Sequence, residues 1–253
     1  MLDILKILFV TPFLVYSCYT DIKTRRVTNK LWQVMLAGGS FFIIYDILVY
    51  GIDYLFKIFI STALIFIFVY LLFQLGVFGG ADAKSLIVLS LFFPAYPELT
   101  ISGYDFPINK PLPLFTDFFA FGVFENAVLL TIVVPLSLAI YNVSKMGMHI
   151  DKPLYAFIGY KTQIRELSSK KHIKMIEGFE KINDNINFYF KRGGQEIDEK
   201  VLKELNILSK KGLVKDIWVT PGLPFMIPIT LGFYASIFYG DLITELTKYL
   251  LFN

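Results

Sequence analysis

Leu71 to Phe93 reads LLFQLGVFGGADAKSLIVLSLFF, and a single carboxylate, Asp82, stands there among residues that otherwise suit lipid. An acidic side chain at the centre of a membrane helix costs about 2.5–3.5 kcal/mol on insertion scales, so a chain that keeps one has a partner or a reaction for it. The purely apolar part, Ser85 to Phe93, is too short to cross a hydrocarbon core of ~30 Å. The helix must therefore take in Asp82 and the glycines before it, or be broken. Either arrangement puts Asp82 at membrane depth, facing protein or water.

Working outward, hydrophobic residues make up 55% of the chain and charged residues 18%, with 26 Phe and 15 Tyr. A soluble domain carries more charge, about 25%. Six apolar stretches are candidate spans: residues 2–20, 31–50, 54–76, 80–96, 117–143 and 222–251. The opening MLDILKILFV sets Lys6 against Asp3 and has no small-x-small cleavage signal after it, so it is expected to stay as a span. A single cysteine, Cys18, excludes an internal disulfide. His149 and His172 form no metal-ligand spacing and no HExxH motif, so neither a metal nor a cofactor is expected. The predicted fold is an all-α bundle of six transmembrane helices with a small soluble α+β domain inserted before the last. The expected divisions are residues 1–146, 147–217 and 218–253.

Lys and Arg set the orientation. Six spans put Lys23, Arg25, Arg26 and Lys30 in the first loop, Lys84 in the third and fifteen basic residues from Lys145 to Lys215 in the fifth; only Lys6, Lys57, Lys110 and Lys248 fall on the other side. This predicts an N-terminus outside and loops one, three and five in the cytoplasm. Asp21 and Asp82, 61 residues apart, then share the cytoplasmic end of the bundle. Asp46, Glu125 and Asp241 lie toward the outer ends of their spans and read as interfacial or helix-packing residues.

Two carboxylates that can approach each other cannot both ionise readily, so one holds a proton near neutral pH. The ionised member can activate water, while the protonated one hydrogen-bonds to and protonates a scissile carbonyl oxygen; no acyl-enzyme is formed. Gly76, Gly79 and Gly80 beside Asp82 leave room for an extended substrate strand, or let helices pack closely. Pro221, Pro224 and Pro228 at the entry to the sixth span leave unpaired carbonyls for substrate, or mark a proline kink.

Three segments carry a resemblance. Asp21-Ile-Lys-Thr-Arg-Arg-Val-Thr-Asn29, Gly79-Gly80-Ala81-Asp82-Ala83-Lys84 and the Pro-Gly-Leu-Pro-Phe stretch around Pro224 resemble those of Gly-x-Gly-Asp membrane aspartic proteases, most closely the archaeal preflagellin peptidases related to type IV prepilin peptidases. Ala81 departs from the strict motif, which has Gly there. The resemblance implies catalysis by Asp21 and Asp82 and substrate binding by Gly79, Gly80 and Pro224. The substrate would be a preflagellin or pilin-like precursor with a short basic leader, cut at the cytoplasmic face of the cell membrane. The chain lacks the cysteine-rich segment and cofactor loop of methylating bacterial relatives, so proteolysis without methylation is expected. Lys84 follows the family pattern but sits two residues from Asp82, off its helix face, and reads as a lysine snorkelling to the headgroups.

Residues 147–216 are rich in charge and read as a water-soluble cap. Leu154–Tyr160 and Asn187–Phe190 are strand-like, Lys191–Gly194 reads as a turn, and Asp198–Lys210 reads as a helix capped by Asp198 and closed by Gly212. No nucleic-acid partner is expected; lipid is. Two other classes use the same acids: a proton- or cation-coupled transporter, and a noncatalytic membrane anchor for filament assembly. The absence of two inverted halves with matching broken segments weighs against transport.

Overall fold

A computed structural model describes residues 2–109, 117–148, 150–182 and 185–252. Lys110 and His149, both used in the sequence reading, lie outside the described residues. The chain divides into two compact units, Met1–Thr131 with Pro224–Asn253, and Ile132–Leu223.

The first unit contains α1 (Leu2–Thr24), α2 (Asn29–Tyr50), α3 (Ile52–Gln74), α4 (Gly80–Phe92), a hairpin of β1 (Leu99–Ile101) and β2 (Tyr104–Phe106), then α5 (Phe119–Thr131). Past the second unit it ends in α8 (Met226–Phe238) and α9 (Leu242–Phe252). Among the described residues four helices are long and apolar enough to cross a membrane, α1, α2, α3 and Phe119–Met146, or five when the bent pair formed by α8 and α9 is counted as one span. The protein is thus a membrane protein carrying a domain with a sheet. The fourth apolar stretch is a helix of 13 residues, about 20 Å long and shorter than a straight span.

The final apolar stretch, expected to be one span, is two helices bent by 68°. Gly240 adopts φ +91°, which ends α8, and Asp241 caps α9 by accepting the Ile243 and Thr244 N–H groups at 3.0 and 3.2 Å. Asn126 of α5, fully buried, fills the break: its Nδ2 donates to the Gly240 carbonyl at 2.8 Å and to Ser236 Oγ at 2.9 Å, and its Oδ1 accepts Leu242 N–H at 2.9 Å. Close helix approach depends on small residues. A Cβ on Gly232 of α8 would stand 2.5 Å from the Val123 carbonyl oxygen of α5, and one on Gly39 of α2 would overlap the Phe92 ring of α4.

Lys6, placed by the sequence on the outer side, and Asp46, read as an interfacial or helix-packing residue, are buried together as an ion pair between α1 and α2, with Tyr54 Oη donating to Asp46 at 3.0 Å. An isolated charge in this apolar interior would be costly, and each removes that cost from the other. The hairpin turns through Ser102 and Gly103, both with positive φ, as a two-residue turn matched to strand twist requires.

The second unit contains α6 (Val133–Met146), β3 (Tyr160–Gln163), β4 (Ile173–Ile182), β5 (Asn185–Glu196), α7 (Glu199–Lys210) and β6 (Asp216–Pro221), in an antiparallel sheet ordered β3-β6-β4-β5. Alternation sorts its side chains: Met175, Ile217 and Val219 join Val201 and Leu205 of α7 in one core, whereas Ile176 and Trp218 face Tyr155 and Ala156 on the other side. The helix over Asp198–Lys210 forms as the sequence predicts, with Asp198 Oδ1 accepting Val201 N–H at 2.8 Å and Gly212 at φ +72°.

Two other expectations fail. Leu154–Tyr160 is not a strand; Pro153 opens a 3₁₀ turn over Pro153–Phe157 and the strand starts only at Tyr160, because proline supplies a preset φ and no ladder donor. Lys191–Gly194 does not turn the chain. Gly193 and Gly194, with φ +80° and +71°, form a bulge within β5, where the pairing jumps from Met175↔Gln195 to Glu177↔Phe190. Pro221 ends β6 instead of opening a span.

Replacing Gly232 by Ala should push α5 and α8 apart and cost about 1–3 kcal/mol, seen as a lower melting temperature in detergent. An unchanged melting temperature would mean the two helices have slack.

Candidate active site

Asp21 lies in the last turn of α1, half-buried. Residues three apart on a helix share a face, and Cys18 and Asp21 both meet the start of α8. Cys18 Sγ donates to the Met226 carbonyl at 3.2 Å and lies 3.1 Å from Thr230 Oγ1, while Asp21 Oδ2 accepts Met226 N–H at 3.2 Å. The carboxylate so satisfies one of the N–H groups that the first turn of α8 leaves free. Arg25 follows at φ +55°, its N–H donating to the Asp21 carbonyl at 3.0 Å. Its Nε and Nη1 are shielded from solvent and make no hydrogen bond among the described residues.

Asp82 is placed by a helix-to-helix turn whose chemistry is local. Gly76 at φ +68° ends α3, with Val77 N–H donating to Leu72 at 3.1 Å and Gly76 N–H to Phe73 at 3.0 Å, the paired bonds of a Schellman ending. Gly79 is extended and precedes α4, and Asp82, three residues on, reaches back so that Oδ2 accepts Gly79 N–H at 3.2 Å. A Cβ on Gly79 would sit 2.6 Å from that oxygen, so glycine is what lets the carboxylate fold back. The first turn of a helix also favours a negative charge there. Gly80 is less constrained: a Cβ would meet only Phe73, at 3.8 Å.

These two anchored carboxylates belong to one place. Phe78 precedes Gly79, Phe225 precedes Met226, and their rings meet edge to face with centroids 5.2 Å apart. Asp21 is tied to Met226, next to Phe225, and Asp82 to Gly79, next to Phe78, so the ring contact joins the segments that anchor the two carboxylates. Both are half-buried. Asp46, Glu125 and Asp241 are not brought there; Asp46 pairs with Lys6, and Glu125 and Asp241 neighbour each other.

Other sequence readings change here. Lys84 Nζ also has a protein partner: it donates to Asn29 Oδ1 at 2.7 Å, joining α4 to the start of α2 and linking two of the three quoted segments. The Pro224 carbonyl, expected to be free, accepts Ile227 N–H at 3.3 Å, and Pro228 lies in the first turn of α8, where its missing donor is harmless. The backbone group at this entry that meets an aspartate is the Met226 N–H, which no residue type in the sequence reveals. Among the described residues no cluster of three His, Cys, Asp or Glu could hold a metal.

The profile of the Type IV leader peptidase family matches residues 8–136, which contain both aspartates, and that of the Archaeal Peptidase A24 C-terminus Type II matches residues 151–242. The preflagellin peptidase of Methanococcus voltae is 29% identical over 246 residues, covering 92% of this chain and 94% of its own length. Those of Methanococcus maripaludis and Methanocaldococcus jannaschii are each 26% identical, covering 92% and 90% of this chain and 94% and 90% of their own lengths. The chain belongs to the type IV leader peptidase family and is a peptidase of its aspartic type.

Proposed function

We propose that this protein is a membrane-embedded endopeptidase that removes the short basic leader from preflagellin or another type IV pilin-like precursor, with Asp21 and Asp82 activating a water. The observation that carries this reading is the convergence of two carboxylates from helices 61 residues apart on the two sides of the Phe78–Phe225 contact. Support for the substrate comes from the preflagellin peptidases that match nearly the whole chain. The relatives named above are peptidases, which favours this reading over transport or passive anchoring.

In the proposed reaction one aspartate is ionised and one protonated. The ionised carboxylate takes a proton from water as its oxygen adds to the scissile carbonyl, and the other carboxyl gives its proton to the carbonyl oxygen. Collapse of the tetrahedral intermediate breaks the C–N bond and passes a proton to the departing amine. Arg25, with two shielded and unpaired nitrogens four residues from Asp21, is suited to hold a substrate carbonyl. Gly79 and Gly80 would leave the backbone beside Asp82 open to an extended strand, and Pro224 would border the same strand. In this reading α4 and the α8–α9 pair complete six membrane segments. The positively charged loops then place the N-terminus outside, and the aspartates and the Ile132–Leu223 unit at the cytoplasmic face.

Asn keeps an oxygen that can accept the Met226 or Gly79 N–H, so Asp21→Asn and Asp82→Asn should fold like the wild type and each lose about 10³-fold in activity. Cleavage of a purified precursor in detergent, with a chelator present and melting temperatures recorded, checks this; near wild-type cleavage by either folded variant removes that residue from the mechanism. The cleavage rate should also fall on both sides of neutrality. Protonating both carboxyls removes the base, and alkali removes the shared proton and with it the acid. A rate that stays flat into strongly alkaline solution would rule out the shared-proton scheme.

A further inference from the structure

Residues 147–216 are rich in charge, yet Pro153 to Tyr160 reads PLYAFIGY, a run without a single charge between Asp151-Lys152 and Lys161. It folds into the 3₁₀ turn Pro153–Phe157, followed by Ile158, Gly159 and the start of β3. Tyr155 and Ala156 turn inward onto Trp218 and Ile176. Leu154 and Phe157, three residues apart and so on one edge of the turn, point outward with Ile158; the three are 75%, 46% and 42% exposed. Adjoining large apolar side chains on the surface of a charged unit call for something to cover them.

The helix beside the turn identifies the cover. Phe119–Met146 is 28 residues long and apolar enough to cross a membrane. At 1.5 Å per residue it measures about 42 Å, the thickness of a bilayer with its headgroups, so its last turns stand where acyl chains give way to headgroups. Among the described residues of α6 only Asn142, one turn before that end, is buried, and its Nδ2 donates to the Ala156 and Gly159 carbonyls at 2.9 and 2.7 Å. The 3₁₀ turn is thereby held alongside the end of the span. Tyr141, next to Asn142 and half-exposed, meets Tyr160 edge to face with centroids 6.2 Å apart, and tyrosine rings are enriched at just this membrane boundary.

Irregular backbone can sit at that depth only if its polar groups are paired within the protein. In this turn Tyr155 N–H donates to the Lys152 carbonyl at 3.0 Å, Ile158 and Gly159 N–H to the Tyr155 carbonyl at 3.0 and 2.8 Å, and Thr220 Oγ1 to the Ile158 carbonyl at 2.7 Å. With the two bonds from Asn142, the carbonyls of Lys152, Tyr155, Ala156, Ile158 and Gly159 are all taken. Water would satisfy such groups unaided; lipid would not. We infer that the Pro153–Ile158 turn is a membrane anchor: Leu154, Phe157 and Ile158 insert at the boundary of acyl chains and headgroups in the leaflet where α6 ends, and so hold the β3 edge of the sheet against the bilayer. The anchor depends on the span through α6 and not on which bond the peptidase cuts.

Spin labelling of the full chain in lipid bilayers tests the anchor. In a Cys18→Ser background that keeps the wild-type melting temperature, a nitroxide is placed through cysteine at Leu154, Phe157 or Ile158. Ile207 and Leu213, about half-exposed apolar residues of the same unit, serve as controls; α7, which carries Ile207, packs on the opposite side of the sheet. At the three anchor positions collisions with oxygen should exceed those with a water-soluble nickel chelate, at a depth of about 5–10 Å below the headgroup phosphates. At the two controls the order should reverse. Free access of the nickel chelate to all five positions would overturn the anchor, and so would anchor positions shielded from both reagents, since that pattern means a protein and not lipid covers the turn. A tryptophan at Leu154 repeats the test without a label: brominated acyl chains should quench it more strongly than Trp32 and Trp218 are quenched in the wild type, and equal quenching would count against insertion.

Discussion

In hydrocarbon a backbone N–H or C=O without a partner costs several kcal/mol, so each interruption of a membrane helix has to be closed by something within the protein. In the membrane unit side chains perform that task at each break that matters for the site. Asp21 takes the free Met226 N–H at the start of α8, Asp82 takes Gly79 N–H at the start of α4, and Asn126 bridges the Gly240 carbonyl and Leu242 N–H where α8 gives way to α9. The bundle owes its broken helices to these polar groups.

This constraint ties architecture to the proposed chemistry. A carboxylate that accepts a backbone N–H is held in one orientation, and both aspartates are held this way by segments that also carry the Phe78 and Phe225 rings. The aromatic contact therefore sets how the two acids stand to each other, while Gly79 leaves the space into which Asp82 folds. Lys84 and Asn29 add a second strut from α4 to α2. The groups in the quoted sequence segments act as one framework.

The Ile132–Leu223 unit follows different rules. Its stability rests on an alternating sheet packed on α7, with Glu177 buried where the β4–β6 ladder ends; one oxygen accepts Trp218 N–H and the other pairs with Lys152. Asn142 of α6 donates to the Ala156 and Gly159 carbonyls at 2.9 and 2.7 Å, which secures the irregular segment before β3. Gly159 itself lies so close to the Val219 carbonyl that a Cβ would overlap it, a reason for glycine there that no local pattern expresses.

Composition and apolar run length determined that this chain belongs in a membrane. A carboxylate in an apolar segment with Gly79 and Gly80 before it made Asp82 conspicuous, and an acid closing the first apolar stretch before a basic loop singled out Asp21 as its candidate partner. The capped helix at Asp198–Lys210 was equally legible, its signals all lying within one turn of its ends. The tertiary structure alone decided the contacts between distant segments: that Met226 N–H would anchor Asp21, that Lys6 would pair with Asp46, that Lys84 would reach Asn29, and that the last apolar stretch would bend at Gly240. Each depends on which backbone group or charge a fold brings across tens or hundreds of residues. A backbone N–H has no letter of its own, and a lysine's partner across 55 residues leaves no local mark in the sequence. The glycines at 193 and 194 show the limit from the other side, since positive φ serves a turn or a bulge equally well and only the pairing of β4 with β5 chooses between them.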